Sequence, residues 1–120
     1  MKVLIVDDDQ EIIEMLVMYF KSLNHETITA STAEECINQA VVAEPDMAFL
    51  DIRLPDRDGI DVLKELKEVK KNLPVVMITG YKEAEKVIEA FRYGALDCLL
   101  KPFNFEYVKK LLDQAGAKPA

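Results

Sequence analysis

Val3-Leu4-Ile5-Val6-Asp7-Asp8-Asp9 places four apolar residues near the amino end and changes abruptly to three aspartates. A short apolar run that stops at a polar turn predicts a strand buried on both faces. The pattern recurs where Met47-Ala48-Phe49-Leu50 stops at Asp51, and where Val75-Val76-Met77-Ile78 stops at Thr79-Gly80. Two weaker runs are Thr27-Ile28-Thr29-Ala30 and Cys98-Leu99-Leu100. The sequence therefore predicts five short strands.

Between and after these strands, apolar residues recur three and four positions apart, which predicts five amphipathic helices. Asp9 is predicted to cap the first helix, and Ser31 with Glu34 forms the pattern of a capping box for the second. Gly94 is predicted to end the fourth helix. The residues of that helix expected to face inward are Val87, Ile88 and Phe91.

Strands that alternate with helices indicate an α/β fold, a three-layer sandwich in which five helices cover both faces of a five-stranded parallel sheet. The expected strand order is 2-1-3-4-5, the doubly wound order of flavodoxin-like proteins. Residues 1–114 are predicted to form one domain and residues 115–120 a linker-like tail. Because all strands run the same way, the residues that follow them meet at one edge of the sheet.

The composition narrows the class of protein. The 120 residues carry 22 Asp and Glu against 15 Lys and Arg, and the resulting net charge of -7 disfavours binding to nucleic acid or to an anionic membrane. The apolar runs are far shorter than the roughly 20 residues that span a bilayer, and no secretory signal is expected. Cys36 and Cys98 show neither metal-ligand spacing nor a disulfide pattern, so a cytoplasmic location is expected.

The residues expected at the sheet edge have complementary chemistry. The carboxylates of Asp7, Asp8 and Asp51 would repel one another unless a cation lay among them, and hard oxygen ligands favour Mg²⁺. One carboxylate could then attack a phosphoryl group while the Thr79 hydroxyl and the Lys101 ammonium stabilise its oxygens. Taken alone, Asp7-Asp8-Asp9 is more often a solvated turn than a metal site, Asp51 could be a turn former and Lys101 a surface lysine. The prediction therefore depends on their joint placement at the strand ends.

Five motifs occur in order along the chain. They are Leu4-Ile5-Val6-Asp7-Asp8, Leu50-Asp51 with Leu54-Pro55 and Asp58-Gly59, Ile78-Thr79-Gly80, Ala90 with Gly94-Ala95 and Asp97, and Lys101-Pro102-Phe103. Any one of them is weak, but together they cover nearly the whole chain. This set resembles the receiver domain of two-component response regulators.

The resemblance implies a role for each matching residue. Asp51 would be the phosphoacceptor, and Thr79 and Lys101 would contact the phosphoryl oxygens. The implied protein ligands of Mg²⁺ are Asp7, Asp8, Asp51 and the backbone carbonyl of Arg53. The bond between Lys101 and Pro102 is expected to be cis.

The function that the resemblance implies is phosphorelay signalling. A sensor histidine kinase or a histidine phosphotransfer protein would donate the phosphoryl group, and the charge added at Asp51 would switch a surface recognised by an output domain or effector protein. That surface would lie on the fourth helix, fifth strand and fifth helix. The aromatic residues of this region are Phe91, Tyr93, Phe103, Phe105 and Tyr107, of which some are expected in the core and others exposed. A phosphorylation-dependent homodimer is a further partner of this kind. The domain is expected not to be an enzyme, beyond accepting the group and slowly releasing it.

Cys98 departs from the family pattern. Receivers usually carry Tyr or Phe three residues before the Lys-Pro pair, and that ring moves inward when the threonine moves toward the phosphoryl group. With Cys98 in its place, the switch is expected to run through Thr79, Gly80 and the adjoining helix, with Tyr81 supplying bulk. Arg53 and Tyr81 would flank the path of hydrolytic water, so slow self-dephosphorylation is expected.

Three other functions fit part of the pattern. A phosphatase of the haloacid dehalogenase type also uses Asp, Thr, Lys and Mg²⁺, but Arg53 stands where its second Asp would be. A flavodoxin would place its phosphate against Asp7, Asp8 and Asp9, which would repel it. A receiver-like interaction module that is never phosphorylated is the third alternative, and the complete set of acids, Thr and Lys disfavours it.

Overall fold

Within the part of the chain that the structure describes, five strands and five helices alternate, as the sequence predicts. The strands are β1 (Lys2–Val6), β2 (Glu26–Ala30), β3 (Met47–Asp51), β4 (Val75–Thr79) and β5 (Asp97–Leu100). The helices are α1 (Gln10–Ser22), α2 (Ala33–Val42), α3 (Gly59–Val69), α4 (Ala84–Arg92) and α5 (Phe105–Gly116). This computed structural model describes residues 1–80 and 84–116.

The strands form one parallel sheet in the order β2-β1-β3-β4-β5, which confirms the predicted topology. Val6 of β1 lies opposite Leu50 of β3, and Asp51 lies opposite Ile78 of β4. The carboxyl ends of these three central strands are therefore level, and the residues that follow them share one edge.

Alternate residues of the central strands β1, β3 and β4 enter opposite cores, because side chains point to opposite faces of a sheet. Leu4 and Val6 lie in a cluster that includes buried residues of α2, α3 and α4, whereas Val3 and Ile5 lie in a cluster that includes those of α1 and α5. The three-layer sandwich is thereby confirmed. No described helix combines the length and the apolar character needed to cross a membrane.

The helix ends agree with the sequence only in part. Asp9 caps α1 by accepting a hydrogen bond from the Glu11 N–H at 3.0 Å, as predicted. The predicted cap of α2 is wrong by one residue: Thr32 accepts from the Glu35 N–H at 3.2 Å, while the Ser31 hydroxyl donates to the Glu35 carboxylate at 2.9 Å. At the other end of the chain, α5 continues to Gly116, beyond the predicted domain end at residue 114.

The inward face predicted for α4 is wrong at two of its three residues, since Val87 is half-buried but Ile88 and Phe91 are exposed. Ile88 is 63% exposed and Phe91 is 49% exposed, whereas Ala90 is buried in the core. The small alanine is therefore the fully buried side chain of this helix, and Ile88 and Phe91 point outward. Gly94 follows the helix with a φ of 96°, a left-handed conformation that glycine adopts without strain, so the predicted helix end is confirmed.

Candidate functional site

Strand ends position the two central aspartates. Asp51 is the last residue of β3, and Asp7 directly follows β1, the neighbouring strand. The sheet hydrogen bonding continues past the strands: the Asp7 N–H donates to Ala30 O at 3.1 Å, and the Ile52 N–H donates to Ile78 O at 3.0 Å. Both aspartates are therefore held by a backbone as ordered as the sheet itself.

The predicted carboxylate cluster is present. Carboxylate oxygens of Asp7, Asp8 and Asp51 all lie within 4.8 Å of one another. Asp7 is fully buried and Asp51 is 6% exposed, whereas Asp8 is exposed to solvent. The cluster offers only oxygen ligands, and the exposed Asp8 leaves room for water molecules. Both features suit a hard cation such as Mg²⁺, which keeps several of its waters when bound.

One buried carboxylate oxygen of Asp7 lacks a hydrogen-bond donor among the described residues. Its Oδ1 accepts a hydrogen bond from the Asp9 N–H at 2.9 Å, but the buried Oδ2 accepts none from any described residue. Lys101 Nζ lies 3.4 Å from this oxygen, an ion-pair contact rather than a hydrogen bond, so the hydration lost on burial is replaced only in part. A cation among the three carboxylates would satisfy this oxygen, so the residues fit Mg²⁺.

Lys101 reaches the same cluster from β5, on the far side of β4. Its Nζ lies 3.4 Å from Asp7 Oδ2 and 3.5 Å from Asp51 Oδ2, which are ion-pair distances. Burial acts to lower the pKa of Lys101, but Asp51 and Asp7 outweigh it and raise the pKa. The Lys101–Pro102 peptide bond is cis, as expected. The ammonium group is thus held as a fixed positive charge beside Asp51.

Asp51 is a strongly perturbed acid. Burial raises its pKa to about 7; the Arg53 N–H, which donates to Asp51 Oδ1 at 3.0 Å, opposes this shift, the Asp7 carboxylate adds to it, and Lys101 opposes it. Perturbed carboxyl groups of this kind are concentrated at functional sites.

Thr79 is the last residue of β4 and is 2% exposed. Its hydroxyl donates to the Gly80 carbonyl at 2.9 Å, so it is directed toward the start of the loop after β4. The Thr79 carbonyl accepts from the Lys101 N–H at 3.0 Å. Thr79 and Lys101 are therefore connected through the backbone as well as sharing the sheet edge.

Gly59 allows the chain after Asp51 to fold tightly. The Gly59 N–H donates to Ile52 O at 2.6 Å, which closes a loop over residues 52–58. A Cβ at position 59 would lie 2.4 Å from the carbonyl oxygen of Asp51 and 2.6 Å from the Cα of Ile52. Arg53, whose backbone was predicted to hold the cation, is the exposed residue two positions into this turn.

The structure also places the residues predicted to switch or shield the site. Cys98 is half-buried on β5 and packs against the cluster beneath α2, α3 and α4; burial raises the pKa of its thiol to about 11. Tyr81 lies outside the described residues. The exposed apolar side chains of α4, β5 and their connection are Ile88, Phe91, Tyr93 and Leu100, and Tyr107 of α5 is also exposed.

Sequence reasoning missed two contacts beside the site. Asp56 accepts hydrogen bonds from the first amides of α2, and Asp58 pairs with Lys86 of α4. Each pair spans more than twenty positions of the chain, so no local spacing could have indicated it. Only the topology, which brings the loop after β3 between α2 and α4, places these groups together.

Comparison with known proteins agrees with this geometry. A family model described as the response regulator receiver domain matches residues 3–113. Regulatory protein AtoC of Escherichia coli (strain K12) is 34% identical over 114 residues, which cover 95% of this chain and 25% of that protein. The alkaline phosphatase synthesis transcriptional regulatory protein PhoP of Bacillus subtilis (strain 168) is 36% identical over 103 residues, 86% of this chain and 43% of that protein.

Solved structures give the same answer. The crystal structure of the receiver domain of NtrX from Brucella abortus is 34% identical, with a TM-score of 0.90 over 94% of this chain and 96% of that one. The chain spans less than half the length of the two curated relatives, so the likeness concerns one domain of those proteins. The match to the family model over nearly all of its length establishes that this chain belongs to the response regulator receiver domain family.

Proposed function

We propose that this domain accepts a phosphoryl group on Asp51 and thereby transmits a signal. The observation that carries the proposal is the convergence on one carboxylate of a second buried acid and a fixed ammonium: Lys101 Nζ lies within 3.5 Å of both Asp51 and Asp7. Such a site attracts both a cation and a phosphoryl group. A surface aspartate without these neighbours would do neither.

The reaction is a transfer between two side chains. A carboxylate oxygen of Asp51 attacks the phosphorus of a phosphohistidine, the P–N bond breaks, and the imidazole nitrogen leaves with the bonding electron pair and is then reprotonated. Lys101 and Thr79 stabilise the charge on the transferring group, which is the main requirement of phosphoryl transfer. For Thr79, this requires that its hydroxyl leave the Gly80 carbonyl.

The residues that would hold Mg²⁺ are Asp7, Asp8 and Asp51, together with the backbone carbonyl of Arg53. When bound, the cation would neutralise charge between the acids and the incoming phosphoryl oxygens. The chain's own contribution is to keep the carboxylates converged and to exclude water from Asp7.

The proposed donor is a sensor histidine kinase or a histidine phosphotransfer protein. The proposed readout is the exposed apolar surface of α4, β5 and α5, which an attached output domain, an effector protein or a second phosphorylated copy would contact; its exposed rings are Phe91, Tyr93 and Tyr107. The free thiols of Cys36 and Cys98 fit a reducing cytoplasm. The net charge of -7 argues against direct contact with nucleic acid by this domain.

Intact mass spectrometry after incubation with acetyl phosphate tests the proposal. We expect one phosphoryl adduct that requires Mg²⁺, is absent from Asp51→Asn, and disappears slowly once the donor is removed. Asp113→Asn, which alters an exposed carboxylate on α5, is the matched control and should be phosphorylated normally. A folded, Mg²⁺-binding protein that forms no adduct would contradict the proposal and favour an interaction module that is not phosphorylated.

A further inference from the structure

The loop over residues 52–58 is fastened at its base and again at its tip. At the base, the Gly59 N–H bonds to Ile52 O and Arg53 forms an antiparallel bridge with Asp58. At the tip, Asp56 reaches across to α2: its Oδ1 accepts from the Ala33 N–H at 2.9 Å and its Oδ2 from the Glu34 N–H at 3.3 Å.

These amides belong to the first turn of α2, where backbone donors have no partner within the helix. The side chain of Thr32, the residue that caps α2, accepts from the Glu35 N–H, whereas the Ala33 and Glu34 amides donate to Asp56. Asp56 therefore completes the capping of α2 from a distant part of the chain, and its carboxylate also faces the positive end of the helix dipole. The hydrogen bonds from Ala33 and Glu34 lower the pKa of Asp56, so the carboxylate stays ionised through the neutral range.

The connection works in both directions. Asp56 accepts hydrogen bonds from the first amides of α2, and α2 in turn fixes the tip of the loop. The second residue of that loop, Arg53, donates its N–H to Asp51. We propose that Asp56 is a positioning residue for the cation site: by tying the loop to α2, it holds the Arg53 backbone in place beside Asp51. The inference rests on the proposed function for the identity of the cation, and it adds a residue outside the carboxylate cluster.

Thr32 provides a matched control. Thr32→Ala and Asp56→Ala each remove one acceptor group from the same helix end, so both are expected to lower stability, but only Asp56→Ala releases the loop. We expect the Kd for Mg²⁺, measured by NMR titration of the metal-free protein, to rise roughly tenfold in Asp56→Ala and to stay unchanged in Thr32→Ala. Asp56→Asn, which keeps an acceptor oxygen, should recover part of the loss.

Hydrogen exchange supplies a second readout that does not depend on the cation. The Arg53 amide should exchange faster in Asp56→Ala than in Thr32→Ala at equal global stability. If both variants bind Mg²⁺ like the unchanged protein and protect Arg53 equally, Asp56 is a helix cap and nothing more, and the inference is overturned. A protein that binds Mg²⁺ with this pattern but forms no phosphoryl adduct would overturn the proposed function and leave the positioning role standing.

Discussion

Burial of the Asp51 carboxylate serves the proposed function but lowers the free energy of unfolding. An ordinary aspartate has a pKa near 4 in an unfolded chain, whereas burial raises that of Asp51 to about 7 in the native protein. Between these values the native state binds a proton that the unfolded state does not. The free energy of unfolding therefore falls as the pH rises through this window, and above it the full cost of a buried carboxylate is present.

Replacing Asp51 by Asn should remove this cost. In EDTA at pH 8, we expect Asp51→Asn to raise the free energy of unfolding by roughly 1–3 kcal/mol, and the gain to shrink as the pH falls toward 5. Urea unfolding at several pH values measures it. Asp113→Asn on α5 is the control, since that carboxylate is exposed. A gain that is equal at pH 5 and pH 8 would show that ionisation of Asp51 is not its cause.

Helices α3 and α4 are joined by contacts that lie close to the site. Asp58 caps α3 by accepting from the Ile60 N–H at 2.8 Å and also pairs with Lys86 of α4. Burial acts to raise the pKa of Asp58, but the hydrogen bond from Lys86 and the Ile60 N–H outweigh it and lower the pKa. Lys64 of α3 adds a contact to the residue that directly follows α4, since its Nζ lies 4.2 Å from the centre of the Tyr93 ring.

A double-mutant cycle measures the link between Asp58 and Lys86. Asp58→Asn keeps the cap and removes the charge, and Lys86→Met keeps the length of the side chain. Because both side chains are more than a third exposed, we expect a coupling of only about 0.5 kcal/mol at low salt, decreasing at high salt. The Lys109–Asp113 pair within α5 is the comparison. A coupling of zero at low salt would mean that the pair does not connect the two helices.

The sequence predicts the positions of the buried strands better than it predicts which face of a helix is buried. The buried strands were predictable because each is a continuous apolar run that stops at a polar residue, and the site was predictable because Asp7, Asp51 and Thr79 are those stopping points. The inward face of α4 was not, since its apolar residues Ile88 and Phe91 are exposed. Periodicity shows that a helix is amphipathic, but not whether its apolar face meets the core or an outer surface.

The sheet divides the molecule into two separate cores. No described residue belongs to both apolar clusters. Val62 of α3 lies in one and Val108 of α5 in the other, and both are fully buried. The strands between them are packed on both sides, so a cavity made on one face is separated from the other by a complete layer of backbone.

Core substitutions on opposite faces should therefore be additive. We expect Val62→Ala and Val108→Ala to cost about 1–3 kcal/mol each, and the double variant to cost their sum within about 0.5 kcal/mol. Urea unfolding provides all three values. Val62→Ala with Leu66→Ala, one turn apart on α3, is the same-face comparison and should depart from additivity. An equal departure for the cross-sheet pair would show that strain passes through the sheet.

Gly59 is a position at which the structure permits no amino-acid substitution. Any side chain there would meet Asp51 O at 2.4 Å, whereas a Cβ at Gly80 would meet nothing within 4 Å. In a randomised library selected only for resistance to protease, alanine and serine should be recovered freely at position 80 and lost at position 59. Equal recovery at both would contradict this. During evolution, substitutions beside Thr79 at position 80 should therefore be tolerated, whereas substitutions of Gly59 should be eliminated because they prevent folding.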